Sequence, residues 1–329
     1  MGTGQLSVFH IFDGVSTRVD TIINNAARNR NAFLTTALII RCHYFFLLFY
    51  SFSKITGWNR YLDMAYGVPL WPVFWIDLVN FQTAVNIIMI LFLAGTAVAA
   101  LFPEHRAARV FAFAGLLEFV ALDNSGGKVV HQMHVWVITS FILIFLTDKW
   151  NRVANYSRGK KNFFLVFWGC QALVLLTYSM AGLGKLYGAW LQFQNGENTV
   201  FHPTALAYHI AAQLAATKSI SPLGPWFIDH PWIGWPFLVG AVYLQFFSFW
   251  IAFRPSLHRL WGCFLIAFHI GTYLIMGVVF TYPVMLLALL FIISPFQQEN
   301  LSWNGVLEDL PLVGLFIRKA RIYLQNRNI

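Results

Sequence analysis

The sequence is poor in charge, and this scarcity decides the class of protein. Charged residues make up 11% of its 329 residues, whereas hydrophobic residues make up 58%. A soluble globular domain carries about 25% charged residues, so this composition excludes a water-soluble globule. The aromatic share of 18% suits side chains that face hydrocarbon and the two interfaces of a bilayer. Without a basic face beside them, these aromatic residues do not indicate nucleic-acid binding.

Cysteine is also scarce, and no cleavable leader is evident. Cys42, Cys170 and Cys263 lie in apolar stretches without the paired spacing that a zinc site or a CxxC redox centre needs, so we expect core residues. The first 30 residues contain five charged side chains and no long apolar run. The sequence therefore predicts no signal peptide and a first helix retained as an anchor.

Long apolar segments predict an all-α, polytopic membrane protein, because about 20 apolar residues span the hydrocarbon as a helix. Six candidate spans are residues 32–53, 80–102, 107–122, 129–147, 162–186 and 232–253. Residues 260–298 lack Asp, Glu, Lys and Arg and are long enough for two more, joined by a tight turn at Thr281, Tyr282 and Pro283. The prediction is about eight transmembrane helices.

Two segments are harder to place. Residues 187–231 mix four prolines and Trp190 with a modestly apolar piece, 204–216, which we interpret as an interfacial or re-entrant helix in preference to a ninth span. Residues 53–79, rich in Trp and Pro, are interpreted as a cap on the membrane surface. With no internal repeat or linker, the chain divides into an N-terminal segment (1–31), one membrane domain (32–298) and a C-terminal tail (299–329).

The distribution of basic residues predicts the orientation. Basic side chains are concentrated after the fourth span, at Lys149, Arg152, Arg158, Lys160 and Lys161. The positive-inside rule places this loop in the cytoplasm. Eight spans then put both termini, the Arg106–Arg109 loop and the Arg254–Arg259 loop on the same side.

Ionisable residues within the predicted spans are the candidates for chemistry, since each costs about 2.5–3.5 kcal/mol at a helix centre. They are Arg41, His43, His131, His134, Lys185 and His269.

Lys185 lies on a polar face rich in small residues. Gln171, Tyr178, Gly182 and Lys185 recur at helical spacing, so this face can approach another helix closely. Two interpretations of Lys185 carry equal weight. It extends to the outer interface beside Trp190, or it is a desolvated lysine whose free amine accepts a proton.

The histidines and Arg41 leave alternatives open. His131 and His134 share one helical face, but no third ligand of suitable spacing favours a metal site, and hydrogen-bonded core residues are the simpler interpretation. His269 begins a polar stripe that fits a pore or a packing seam equally well. Arg41 needs an anion, a carbonyl group or a ligand as its partner, and the sequence favours structural pairing and substrate binding equally.

Four stretches resemble the HTTM (horizontally transferred transmembrane) domain, which is shared with vitamin K-dependent gamma-carboxylase. Tyr178–Trp190 is similar to the AGL-x-KL-x-x-x-W signature, and Phe253–Leu257 is similar to the Arg-Pro turn of the carboxylase. Phe268–Ile270, with Phe280 and Ser294–Pro295, is similar to its Phe-His helix and Ser-Pro exit. The first span, with Arg41, is similar to the arginine-bearing first helix of HTTM proteins. The resemblance covers roughly residues 32–300.

The resemblance implies a mechanism and a site. Lys185 would be the base that activates a reduced vitamin K-type quinone, and His134 would assist carbanion chemistry, with His131 as the alternative. The residues implied in binding cofactor or substrate are His131, His269, Arg41, Tyr178 and Trp190. Oxygen and carbon dioxide would be co-reactants, with a peptide or protein substrate on the outer face. The implied localisation is a bacterial inner membrane.

Two departures from the family widen the functional prediction. The animal carboxylase has a large extramembrane region after its last helix, whereas here only about thirty residues follow Pro295. Short members resembling SdpB-type proteins act instead in peptide toxin maturation or export. That non-enzymatic function is the alternative, because a shared fold does not fix the reaction.

Overall fold

A computed structural model describes residues 8–62, 68–127, 131–150, 157–297 and 302–327. Helices dominate, and the described residues contain no β-strand. Among the described residues, four helices are long and apolar enough to cross a membrane: Arg30–Ile55, Phe81–Leu101, Arg158–Gln194 and Pro255–Met276. The predicted all-helical class is confirmed. The chain divides into two compact units, which are described separately.

The first unit lies within residues 1–130, 137–170 and 294–298. Its helices are α1 (Val8–Arg28), α2 (Arg30–Ile55), α3 (Trp58–Leu62), α4 (Phe81–Leu101), α5 (Arg106–Asn124), most of α6 (His134–Leu143) and the beginning of α7 (Ser157–Gln194). The side chain of Asn29 caps α2 by accepting the backbone N–H of Asn31 at 2.8 Å. Helix α1 was not predicted, since an amphipathic helix lacks the continuous apolar run of a span.

Helices α4 and α5 pack closely because glycines face each other's backbone. A Cβ at Gly95 would lie 2.7 Å from the carbonyl oxygen of Phe111, and one at Gly115 would lie 2.7 Å from that of Leu91. Small residues permit such close approach between helices.

Beside this pair, Arg109 is fully buried. The sequence had suggested a loop position for it. Instead it lies in the first turn of α5, where its guanidinium donates to the carbonyl oxygens of Pro103, at 2.8 Å, and Leu146.

The same end of the first unit holds an exposed carboxylate. Asp148 accepts the backbone N–H of Arg106 at 2.9 Å, and this hydrogen bond lowers the pKa of Asp148. Arg152, part of the predicted cytoplasmic cluster, lies outside the described residues.

The second unit lies within residues 131–136, 171–293 and 299–329. It contains the rest of α7, then α8 (Ala205–Thr217), α9 (Gly224–Asp229), α10 (Pro231–Phe246), α11 (Ser248–Ile251), α12 (His258–Met276), α13 (Thr281–Leu287), a π-helical turn (Ala288–Ile292), α14 (Trp303–Asp309) and α15 (Val313–Arg327). Helix α8 confirms a short helix in the predicted 204–216 piece. Leu206 and Ile210 of α8 pack with Phe227 of α9 in one apolar cluster.

Three predicted spans differ from the structure in their details. Helix α6 has ten α-helical residues, because a 3₁₀ turn precedes it and i to i+3 bonds tighten its end up to Leu146. The predicted span 232–253 is interrupted at Phe247. The expected turn at Thr281–Pro283 is wrong, since Thr281 begins α13 and the connection follows the left-handed Gly277.

Candidate functional site

The polar face of α7 contacts neighbouring elements at each of its predicted positions within the second unit. A Cβ added at Gly182 would lie 2.7 Å from the Cα of Phe246 and still closer to the backbone nitrogen of that residue. Gln171 donates to the carbonyl oxygen of Leu290. The predicted close approach of this face to another helix is confirmed, and α10 is that helix.

Lys185 forms a hydrogen bond with a neutral side chain. Its Nζ lies 2.9 Å from Oε1 of Gln245, which is buried in α10. Within the described part of the chain, no carboxylate lies within 4.0 Å of this amine. An amide oxygen can accept a hydrogen bond from an amine as well as from an ammonium, so this contact is compatible with either protonation state of Lys185. The partly buried amine can therefore accept and release a proton.

The break between α10 and α11 is bridged from α7. Ser179 donates to the carbonyl oxygen of Phe246 at 2.9 Å and accepts the backbone N–H of Phe249 at 2.8 Å. It thereby satisfies backbone groups that the interrupted helix leaves open. Ser179 fixes the end of α10 next to Gln245, the partner of Lys185. The role of Ser179 could not be predicted from the sequence, because a lone serine in an apolar helix has no distinctive signal.

Tyr178 and His269 form a buried pair. The phenol oxygen of Tyr178 lies 2.7 Å from Nε2 of His269, and both residues are at most 8% exposed. The His269 ring packs on Phe280 with the ring centroids 4.8 Å apart. Its Nδ1 is buried and has no hydrogen-bond partner among the described groups. Since an unsatisfied buried ring nitrogen is costly, it is a candidate contact for a bound polar group.

His131 and His134 contact each other, with 3.1 Å between their Nδ1 atoms. At this distance one nitrogen donates and the other accepts. The segment is held by Gln132, which donates to the carbonyl oxygen of Val279 at 2.6 Å, and by Trp136, which donates to that of Tyr282 at 2.9 Å. No group of three His, Cys, Asp or Glu side chains suited to a metal occurs in the residues described.

The connection between α12 and α13 links the two sets of histidines. Val279 and Tyr282 hold the His131–Trp136 segment, while Phe280, between them, packs on His269. Tyr178 is in turn two helical turns before Lys185 on α7, about 10 Å along the axis at 1.5 Å per residue. Five of the seven predicted site residues thus occur in one connected part of the second unit: Lys185, Tyr178, His269, His131 and His134.

Two predicted site residues are placed differently. Arg41 belongs to the first unit, where it is exposed on α2. Trp190 is 56% exposed on the last turns of α7. His43, named with Arg41 as an intramembrane ionisable residue, lies 2.9 Å from Ser140 through Nε2, and this contact fits a core role.

Comparisons with known proteins do not indicate the class of this protein, so it is inferred from the fold and the candidate site. No protein family model, no curated protein and no solved structure matches this chain.

Proposed function

We propose that the chain is an integral membrane protein with eight spans and both termini in the cytoplasm. In the described part of the chain, four helices have the length and hydropathy of a span, and the apolar helix Thr281–Ile292 is shorter. Helix α5, α6 with its tightened ends, and α10 with α11 would supply the remaining spans. Two variants with a single cysteine, Lys161→Cys and Glu197→Cys, test this topology. Spheroplasts that express each variant are treated with a membrane-impermeant thiol reagent. Labelling of Glu197→Cys but not Lys161→Cys is expected, and the reverse pattern would contradict the orientation.

We further propose that the protein is an HTTM-type enzyme that uses Lys185 as a general base on a reduced quinone. The observation that supports this proposal is the hydrogen bond between Lys185 and the neutral Gln245 in a partly buried setting. A desolvated amine without a carboxylate partner is suited to proton abstraction near neutral pH. A structural lysine gains most from a carboxylate partner, which is lacking among the described residues.

Other residues of the site have supporting roles in this proposal. A phenolic quinol needs a base for one hydroxyl and a hydrogen-bonding group for the ring oxygens, and the buried Nδ1 of His269 fits the second requirement. Tyr178 fixes the orientation of the His269 ring through Nε2. His134, next to His131, is proposed to assist the later carbon-acid step. When bound, the reduced quinone would supply the oxygen-dependent oxidation that drives the chemistry, with CO₂ as co-substrate.

The first experiment follows the quinone spectrum with purified protein in detergent, after oxygen is admitted to reduced naphthoquinone. Wild type is expected to convert the quinol, whereas Lys185→Met should bind it without turnover, because the lost group acts on protons rather than on packing. Lys185→Arg should also be inactive, since arginine stays protonated. Lys161→Met, an exposed lysine at the other end of α7, is the matched control and should retain full activity.

The outcomes separate the candidate functions. Full activity of Lys185→Arg would refute the base assignment, because a residue that only supplies charge tolerates this change. If the wild-type protein neither binds nor converts the quinol, the quinol proposal is refuted. Peptide maturation or export of the SdpB type is then favoured. Conversion that requires Lys185 would direct the next search to the carbon acid.

A further inference from the structure

The C-terminal helices are fixed to one turn of the second unit. Asp309, the last residue of α14, lies 3.3 Å from Nε of the buried Arg254 and also accepts the hydroxyl of Ser256. Tyr243 of α10 donates to the carbonyl oxygen of Pro311 at 2.7 Å. These side-chain contacts fix the connection between α14 and α15, so the position of α15 is set relative to the turn at Arg254.

That turn lies at the end of a candidate membrane span. The apolar segment Pro255–Met276 begins one residue after Arg254. A spanning helix ends at the level of the lipid headgroups. The contacts of Asp309 and Pro311 therefore hold the beginning of α15 near headgroup depth. Trp303 of α14 is 76% exposed, which suits an aromatic side chain at this interface.

Helix α15 combines an exposed apolar stripe with basic residues. Val313, Phe316 and Tyr323 have exposed fractions of 42%, 73% and 61%, and their spacing of three and seven residues places them on one face. The 15 residues Val313–Arg327 include no Asp or Glu. Their basic residues are Arg318, Lys319, Arg321 and Arg327. An apolar stripe with cationic residues around it is typical of helices that lie in a membrane interface.

We propose that α15 lies flat in the membrane interface and binds anionic lipid headgroups. Phe316 and its neighbours enter the boundary of the acyl chains, and the exposed Lys319 contacts lipid phosphates. The unbroken positive charge of α15 selects an anionic surface over a neutral one. This inference goes beyond the proposed enzymatic function and is independent of Lys185, which belongs to α7.

The test measures the depth of spin labels in the full-length protein in lipid nanodiscs. Cys42 and Cys263 are replaced by alanine, and the fully buried Cys170 is kept, with an unlabelled-background control. Single labels are attached at Phe316→Cys and, on the opposite face of an ideal helix, at Gln325→Cys. Power saturation then compares access by oxygen, which partitions into lipid, with access by a water-soluble nickel chelate.

With 30% phosphatidylglycerol, the label at residue 316 should favour oxygen and the label at 325 should favour the chelate. Exchange to pure phosphatidylcholine should increase severalfold the ratio of chelate access to oxygen access at the label on residue 316. The triple change Arg318→Glu, Lys319→Glu and Arg321→Glu should have the same effect. Preference for the chelate at 316 with anionic lipid would overturn the proposal. A label at 316 shielded from both reagents would also overturn it and indicate a second protein chain on this face.

Discussion

Two cationic side chains, one in each unit, are held in opposite ways. In the first unit, Arg109 is completely buried and donates to two backbone carbonyl oxygens, those of Pro103 and Leu146. In the second unit, Lys185 is only partly buried and forms a hydrogen bond with the side chain of Gln245. Arg109 joins the end of α4 to the end of α6, whereas the contact of Lys185 joins two helix faces.

The chemistry of the two side chains and of their partners distinguishes a structural cation from a candidate catalytic one. A guanidinium stays protonated at any accessible pH, and its planar fork suits fixed carbonyl groups. An amine next to a neutral amide can change its protonation state without breaking the contact. We therefore expect Arg109 to determine stability and Lys185 to determine activity.

Replacement of Arg109 should have the largest effect on stability. Arg109→Met leaves the carbonyl oxygen of Leu146 buried without its charged donor, and loss of such contacts costs about 3 kcal/mol or more. Arg109→Lys should recover little of this, because one ammonium cannot reproduce the two-donor fork. Thermal unfolding in detergent at a fixed scan rate measures this loss of stability, which should lower the Tm by several degrees.

Arg106→Met is the matched control for Arg109, since Arg106 is an exposed arginine in the same first turn of α5. A surface change of this kind falls within about 0.5 kcal/mol. Equal loss of stability in the two variants would contradict the distinction between Arg109 as a structural residue and Arg106 as a surface residue.

Gly182→Ala should have the next largest effect. The added Cβ would meet the backbone of Phe246, so α7 and α10 must separate, at a cost of about 1–3 kcal/mol. The contact of Lys185 with Gln245 should weaken with it, and any quinol conversion should fall together with stability. Gly184→Ala is the control, because nothing lies within 4 Å of a Cβ there and alanine favours the helix. A stable and fully active Gly182→Ala variant would show that Lys185 does not depend on this close packing.

The fold class and the small-residue face of α7 could be predicted from the sequence, because both depend on patterns within one segment. Periodicity placed Gln171, Tyr178, Gly182 and Lys185 on one face, and all four contact other elements. Their partners were not predictable, because they come from elements distant in sequence. Gln245, for example, is sixty residues from Lys185, and its residue type alone does not indicate a lysine partner.

The role of Arg109 was missed for a similar physical reason. Its charge assigned Arg109 to the cytoplasmic loop before the third predicted span, although the range of that span, 107–122, includes it. Its burial depends on the carbonyl oxygens at the ends of two other helices, which a single-segment pattern does not contain. Breaks such as the one at Phe247 carry no proline or glycine, so composition did not indicate them.

The smallest expected effect on stability is that of removing the hydrogen bond between Tyr178 and His269. This prediction tests whether polar side chains of the second unit stabilise one another. Tyr178→Phe removes the phenol oxygen that lies 2.7 Å from Nε2 of His269. A double-mutant cycle with His269→Leu should give a coupling free energy of about 1 kcal/mol, the usual size for one hydrogen bond. Tyr208→Phe, at a tyrosine that is 68% exposed, should show no coupling with His269→Leu. Zero coupling for the Tyr178 cycle would mean that the pair is held by its surroundings alone. The position of His269 would then depend on packing, for example on Phe280, rather than on Tyr178.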